Sequence, residues 1–344
     1  HDKHARSWLR YTQEDGILHN TNQLICTKSG DAIALGGHNN YLAYSVFEPE
    51  NNFWRTQQTS FSLSSASYVV ASKAANQHER NFLSINTIDV SNPSMGIYEL
   101  VKTGTSDYQL QLFRSMHSRV NNLALMSNGD LISTGNVLQK FNTQKPKSKP
   151  TVLLSRWVDN MVVDHNDNIW VATWASGLSR YDGQQWQDIK QTENTDFSRV
   201  TQLFVTKQGD VLALTEAKLL RFDGTNWQAM DLANIETRRS GNQITQTQDG
   251  SIWVSTASYH WMFRNYYSEI KPALFETIRY QPDNNPPDTH IEWISAKDKY
   301  SNSIYFTLSG VDKWNETKDR KEYLSERSVQ HPGKPYIKDC KRNE

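Results

Sequence analysis

The feature that most constrains the fold is a sequence pattern that occurs again 41 residues later. Residues 168–186 read NIWVATWASGLSRYDGQQW, and residues 210–227 read DVLALTEAKLLRFDGTNW. In both segments an apolar run leads to an aromatic residue, an Asp-Gly pair and a tryptophan. Tyr181 and Phe222 are 41 residues apart, and so are Trp186 and Trp227. Copies of this length along one chain predict an array of similar supersecondary units.

Tight turns mark further copies of the unit. Small polar residues followed by glycine, which supply the positive φ angles of tight hairpins, lie between apolar runs. Asn166-Asp167 takes this place in the fourth unit, and a weaker copy lies at residues 80–87. The turns fall at positions 30, about 80, 129, 167, 209 and 250, which marks six units averaging roughly 44 residues, within the range of propeller blades. Four short strands for each unit are typical of a β-propeller.

The sequence therefore predicts an all-β fold, a β-propeller of four-stranded blades. In the fourth unit we expect a strand before Asn168, then strands at 169–174 and 178–181 and a hairpin into a fourth strand at Trp186. Alternation places large apolar residues between neighbouring sheets. We interpret the recurring tryptophans as core residues of this kind: Trp170, Trp186, Trp227 and Trp253.

The two ends of the chain complete the predicted architecture. SWLRYT, residues 7–12, is a strand without a blade of its own, and as the outer strand of the last blade it would close the ring. Residues 7–280 form the predicted propeller. The proline-rich segment QPDNNPPD at 281–288 interrupts the pattern, and residues 281–344 are a linker with either a partial β-sandwich or strands of a closing blade. Six repeats are legible, and ring closure favours seven blades.

Composition excludes several classes of protein. The 37 basic and 37 acidic residues give zero formal net charge, which argues against a general binder of nucleic acids or membranes, although a local patch can hide within a neutral sum. No apolar run approaches the ~20 residues that a membrane helix needs, so we expect membrane contact only through a segment absent from this sequence.

The two cysteines, Cys26 and Cys340, are expected to be unpaired thiols. No metal or cofactor is expected, and Asp164, His165 and Asp167 are assigned to a hairpin turn.

Three segments resemble the two-component regulator propeller repeat: YTQEDGILHN (11–20), NIWVATWASGLSRYDG (168–183) and DGSIWVST (249–256). YFTLSGVDKWNET (305–317) resembles the start of the β-sandwich that often follows such propellers. The resemblance implies an extracytoplasmic ligand-sensing module, periplasmic or extracellular, in a signalling receptor whose output domain lies outside these residues. A homodimer is one possible assembly of the intact receptor.

A propeller brings the loops that precede its inner strands, and those that join its second and third strands, to the same face. Arginines bind carboxylates and sulfates there, and aromatic faces stack on sugar rings. We therefore predict that an anionic, saccharide-like small molecule or oligosaccharide binds at this face. The candidate ligand-binding residues are His38, Asn39, Arg119, Arg156, Trp157, Trp174, Arg199, Arg238, Tyr259 and His260.

Two alternatives stay open. Some propellers are lyases that cleave uronate polysaccharides by β-elimination, which needs a base, an acid and a cation at the carboxylate. The residues for such a reaction would be His38, His117, Tyr259, His260, Arg119 and Arg156, but no triad or metal spacing supports catalysis. The other alternative is a protein-interaction platform, whose mark is a large exposed apolar patch.

Overall fold

The computed structural model describes much of the chain, in segments separated by gaps. The described residues are 11, 13–18, 20–27, 29–63, 68–73, 80–86, 95–173, 177–190, 195–197, 199–215, 218–231, 243–246, 252–257, 265–271, 276–280, 291–297 and 303–307. They fall into two compact units, one drawn from residues 1–59 and 245–344 and the other from residues 60–244. No helix among the described residues is long and apolar enough to pass through a bilayer.

The first unit begins with one antiparallel sheet whose strands follow chain order. A 3-10 turn, Gln13–Asp15, precedes it. Its strands are β1 (Asn20–Cys26), β2 (Ala32–His38), β3 (Tyr41–Glu48) and β4 (Phe53–Ser62), which runs on into the second unit. Between β2 and β3 the chain reverses at Asn39 and Asn40, whose φ angles are 49° and 64°. Two consecutive positive φ angles are the mark of a type I′ hairpin turn.

The second unit contains four groups of four antiparallel strands, each again in chain order. The strands are β5 (Tyr68–Lys73), β6 (Asn81–Asn86), β7 (Gly96–Lys102), β8 (Tyr108–Ser115), β9 (Asn122–Leu125), β10 (Leu131–Thr134), β11 (Leu138–Phe141), β12 (Thr151–Leu154), β13 (Asn160–Val163), β14 (Ile169–Thr173), β15 (Gly177–Tyr181), β16 (Trp186–Asp188), β17 (Gln202–Val205), β18 (Val211–Leu214), β19 (Lys218–Phe222) and β20 (Trp227–Asp231). The first two groups also join, because β5 pairs in parallel with β9.

The remaining described strands follow the same order. They are β21 (Gln243–Gln246), which lies at the boundary of the units, β22 (Ile252–Ala257), β23 (Asn265–Lys271), β24 (Glu276–Tyr280), β25 (Ile291–Lys297) and β26 (Ser303–Thr307). The first four form another four-stranded sheet, and β25 pairs with β26 alone. β25 lies alongside β1 and β22. The predicted all-β class and four-stranded sheets are confirmed, whereas residues 7–10, 281–290 and 308–344 lie outside the described residues.

Equivalent positions of the repeat occupy equivalent places in the sheets. Tyr181 pairs with Ile169 and with Trp186, and Phe222 pairs with Val211 and with Trp227. The predicted strands of the fourth unit agree with β14, β15 and β16. The aromatic–Asp-Gly–Trp pattern is therefore the hairpin between the third and fourth strands of a sheet.

Apolar cores lie between neighbouring sheets of the second unit. Trp170 of β14 is 1% exposed, and its ring packs on Phe222 and Trp227 of the next sheet at centroid distances of 5.3 and 6.0 Å. Trp186 packs in the same way on the core of the preceding pair of sheets. Burying a large side chain of this kind contributes about 2–3 kcal/mol. The interpretation as a core residue is confirmed for Trp170, whereas Trp186 and Trp227 are partly buried side chains that pack against the cores. The side chain of Trp253 lies outside the described part.

Side-chain amides connect neighbouring sheets near the start of their first strands. Asn160 donates from Nδ2 to the carbonyl of Thr201 at 3.2 Å and accepts from the backbone N–H of Leu203 at 3.1 Å. Gln202 accepts from the backbone N–H of Ile244 at 2.9 Å. Each amide lies at the first position of its strand. The two bonds of Asn160 join β13 to the start of β17 within the second unit.

The turn at residues 164–168 confirms the prediction that this segment makes a hairpin. Asp164, which is 6% exposed, accepts from the backbone N–H groups of Asn166 and Asn168, both at 2.9 Å, and from the indole N–H of Trp170, also at 2.9 Å. Asp167 has a φ of 62°. No group of residues in the described part of the chain is arranged to hold a metal ion.

One cysteine prediction is wrong. Cys26, at the exposed end of β1, is disulfide-bonded rather than a free thiol. The bond cannot be predicted from the spacing of the cysteines, because the only other cysteine in the sequence, Cys340, is more than 300 residues away. Cys340 lies outside the described residues.

Candidate functional site

The loops that lead into the first strands of three successive sheets carry most of the described candidate residues. We call residues 117–121, 155–159 and 197–201 the leading loops. Each ends with the same backbone bond to the end of the second strand of its sheet: Asn121 to Thr134 at 2.8 Å, Asp159 to Ala172 at 3.0 Å and Thr201 to Leu214 at 2.7 Å. The repeat thus places the three loops equivalently on their sheets, as the sequence predicts.

The middle leading loop presents an exposed, oriented tryptophan. Val158 is fully buried in the core between two sheets and anchors the loop. Trp157 on one side of it is 48% exposed, and its indole N–H donates to the carboxylate of Asp159 at 3.0 Å. Because the indole is held by this bond, Trp157 offers a flat apolar face to solvent with a carboxylate beside it. Such a pair can stack on a sugar ring and accept hydrogen bonds from its hydroxyl groups.

The side chain of Arg156, in the same loop, reaches down to the sheet. Its Nη2 lies 3.3 Å from Oγ of Ser179, and Ser179, which is 1% exposed, donates to Asp188 at 2.6 Å. Nε of Arg156 is buried and has no hydrogen-bond partner among the described residues. The guanidinium is therefore directed at the third and fourth strands of its own sheet, and an anionic ligand would have to displace the Ser179 contact to gain bidentate bonds.

The other leading loops expose their arginines. Val120, buried at 1% exposure, is held by Asn86, which accepts its backbone N–H at 2.7 Å and donates to its carbonyl at 3.0 Å. Next to it Arg119 and His117 are exposed. Arg199 is exposed with a φ of 56°, and Val200 beside it is buried. No hydrogen bond among the described residues joins His117 to Arg119 or Arg156, and the other lyase candidates, Tyr259 and His260, lie outside the described residues.

The Gly-Gly-His segment of the first unit is a β-hairpin. Gly36 and Gly37 are strand residues of β2, paired with Ala43 and Leu42. His38 ends the strand, and it and Asn39 are exposed at the type I′ turn. The two glycines are therefore residues of the strand and not of the turn. Four other candidates, Trp174, Arg238, Tyr259 and His260, lie outside the described residues.

Sequence reasoning did not find Asp159, Ser179 and Asp188. Asp159 could have been found from the sequence, because it lies two residues after Trp157, a tryptophan predicted to lie in a loop. Ser179 and Asp188 could not, because only the strand pairing, in which they face each other, brings them to Arg156.

Antiparallel four-stranded sheets, each in chain order and packed through apolar cores, define a β-propeller protein. No family model matches the sequence, and no curated protein matches it. Solved structures share the fold. The extracellular domain of a protein described as a hybrid two-component system from B. thetaiotaomicron is 17% identical with a TM-score of 0.58, over 85% of this chain and 38% of that one.

Two other propellers are similar at lower identity. Catalytically inactive virginiamycin B lyase from Staphylococcus aureus, solved with quinupristin, is 9% identical with a TM-score of 0.61, over 88% of this chain and 95% of that one. The WD40 propeller domain of Doa1 is 10% identical with a TM-score of 0.54, over 85% and 90%. The chain spans about 38% of the length of the B. thetaiotaomicron domain. The fold is common to an extracellular domain of a two-component system, a lyase and a WD40 domain, so the functional argument has to rest on the site.

Proposed function

We propose that this propeller is an extracytoplasmic ligand-sensing module of a signalling receptor. It binds a saccharide-like ligand at the leading loops, and the C-terminal segment passes the response to an output domain. The observation that carries the proposal is the exposed Trp157, held by Asp159 at 3.0 Å beside a fully buried anchor. The fold shared with an extracellular two-component domain supports the sensing role.

The location follows from the same proposal. A disulfide at Cys26 favours an oxidising compartment, since cytosolic thiols are kept reduced. A periplasmic or extracellular module meets polymer fragments before they enter the cell. Arg119 and Arg199, exposed on the neighbouring leading loops, would neutralise carboxylates or sulfates of the ligand, while Trp157 takes the apolar face of a sugar ring.

A thermal-shift screen against neutral and uronate-containing oligosaccharides tests the proposal. A ligand at 100 times its dissociation constant stabilises the folded state by about 2.7 kcal/mol. We expect Trp157→Ala to abolish the shift and Arg119→Ala to weaken it for uronate-containing ligands alone. Phe53→Ala, which removes another exposed aromatic, at 41% exposure, is the matched control and should keep the shift.

Other outcomes would contradict the assignment. If Arg119, Arg156 and Arg238 can all be changed to Ala with every ligand response intact, the arginines do not form the site. If no oligosaccharide shifts the melting temperature, a protein-interaction platform becomes the better interpretation. Release of an unsaturated uronate product, followed by ultraviolet absorbance, would identify a lyase.

A further inference from the structure

A lysine-rich loop stands apart from the leading loops. It joins β11 to β12 and reads NTQKPKSKP, residues 142–150; we call it the lysine loop. Lys145, Lys147 and Lys149 alternate with Pro146, Ser148 and Pro150, and all three lysines are exposed. In a chain with zero formal net charge, three lysines within five residues concentrate positive charge at one place.

The lysine loop is held in a defined conformation. Arg114 of β8 donates from Nη1 to the carbonyls of Pro146 and Ser148 at 3.0 and 3.1 Å. Asn142 accepts from the backbone N–H of Lys145 at 3.0 Å, and the N–H of Ser148 donates to the carbonyl of Lys145 at 2.9 Å. Two successive turns and an arginine from the preceding group of strands therefore fix the backbone, so little loop entropy is lost when a partner binds.

The three ammonium groups have no partner of opposite charge in the described part of the chain. The nearby carboxylates are used elsewhere: Asp130 faces Lys140 at 3.7 Å, and Asp167 accepts from Ser127. No described carboxylate lies within ion-pair distance of Lys145, Lys147 or Lys149. The loop carbonyls of Lys145, Pro146 and Ser148 are already bonded. The groups that the loop offers a partner are therefore the lysine ammonium groups, which are point charges on flexible stems.

We propose that the lysine loop is a docking surface for an acidic polysaccharide, distinct from the leading loops. Charges spaced two residues apart on an outward turn can meet successive anionic groups of a linear polymer, whereas a small anion would reach only one of them. The loop contains no leucine and no aromatic residue, so it lacks the apolar side chains that anchor a surface helix in a membrane and the rings that stack on nucleobases. Charge and composition together favour an acidic glycan chain.

Binding of immobilised alginate at low and high salt tests the proposal. Lys145→Gln, Lys147→Gln and Lys149→Gln are combined, and the matched control combines Lys102→Gln, Lys190→Gln and Lys207→Gln, which removes equal charge from other exposed lysines. We expect the loop variant to lose about tenfold in affinity at low salt, as the sum of three exposed ion pairs. The control variant should bind alginate as tightly as the wild type does. High salt should weaken the binding of both the control variant and the wild type.

The same measurement in a Trp157→Ala background separates the two sites. Binding that persists without Trp157 and falls with the loop lysines supports the docking surface even if the proposed sensing site is wrong. Equal affinity of loop variant and control overturns the proposal. It is also overturned if duplex DNA or phosphatidylglycerol vesicles bind the wild type while alginate does not.

Discussion

In two successive sheets of the second unit, a single aspartate stabilises the hairpin turn between the third and fourth strands. Asp182 and Asp223 occupy the same position in successive repeats, and each accepts two backbone N–H groups two and three residues ahead, at 2.8–2.9 Å. The next residues, Gly183 and Gly224, have φ angles of 95° and 98°. The Asp-Gly pair is thus a complete turn signal: the carboxylate satisfies the backbone and the glycine supplies the left-handed conformation. These two turns can therefore be predicted from the sequence.

Asp164 also accepts backbone hydrogen bonds in a turn, but it is buried. We therefore expect its substitution to lower the free energy of unfolding strongly. Asp164→Ala leaves the indole N–H of Trp170 and the amide of Asn168 without their acceptor. Leaving such groups unsatisfied costs about 1–3 kcal/mol each, so we expect the free energy of unfolding to fall by roughly 2–4 kcal/mol in urea titrations. Asp164→Asn keeps one acceptor oxygen and should lose less. Equal losses in the two variants would show that the side-chain bonds are not the cause.

The exposed turn aspartates predict an acid-dependent loss of stability. Backbone N–H donors hold the pKa of Asp182 and of Asp223 below the ordinary carboxyl value. The turns therefore favour the ionised form; their contribution is complete above the ordinary pKa of about 4 and is lost as pH falls through the lowered values. Combined Asp182→Asn and Asp223→Asn keeps an acceptor that does not titrate. The urea midpoint of this variant should fall less steeply with acid than that of the wild type, and an unchanged acid limb would rule the explanation out.

At the scale of elements, strand order and sheet packing follow from the repeat, but the links between sheets do not. Ile, Val and Trp at alternating positions predict which faces are buried, and Trp170 confirms it. Asn160 and Gln202 give no such signal, because a polar residue at the start of a strand is equally typical of solvent exposure. Their role appears only when the next sheet's backbone is in place. The contact of Arg156 with Ser179 has no signal in the sequence for the same reason, since it depends on strand pairing.

The bond from Asn160 to the next sheet predicts the effect of its removal. Asn160→Ala breaks two hydrogen bonds that join β13 to the segment 201–203 and leaves the carbonyl of Thr201 and the N–H of Leu203 without this partner. We expect a loss of about 1–3 kcal/mol in the free energy of unfolding. Asn160→Asp replaces the donor with a second acceptor facing the Thr201 carbonyl and should not restore stability. Gln187→Ala, an exposed change on β16, is the control expected to lie within about 0.5 kcal/mol of the wild type.

At the scale of the whole molecule, a repeated unit accounts for the class of fold and leaves the function to the loops. The same fold serves an extracellular two-component domain, an inactive-variant lyase structure and a WD40 domain. In this chain the loops carry the Trp157–Asp159 pair on one leading loop and the lysine loop between β11 and β12.

The disulfide at Cys26 predicts that the folded chain has no reactive thiol. The sequence holds two cysteines, so a bond within one chain predicts no free thiol in denaturant before reduction and two after it. A bond within one chain leaves a monomer on a non-reducing gel, whereas a bond between chains gives a dimer that reduction abolishes; we expect the monomer. Reduction should lower the free energy of unfolding by about 2–5 kcal/mol, the usual cost of losing a native disulfide. Two free thiols before reduction would remove both the cross-link and its support for an oxidising compartment, while the propeller fold and the Trp157 site would stand.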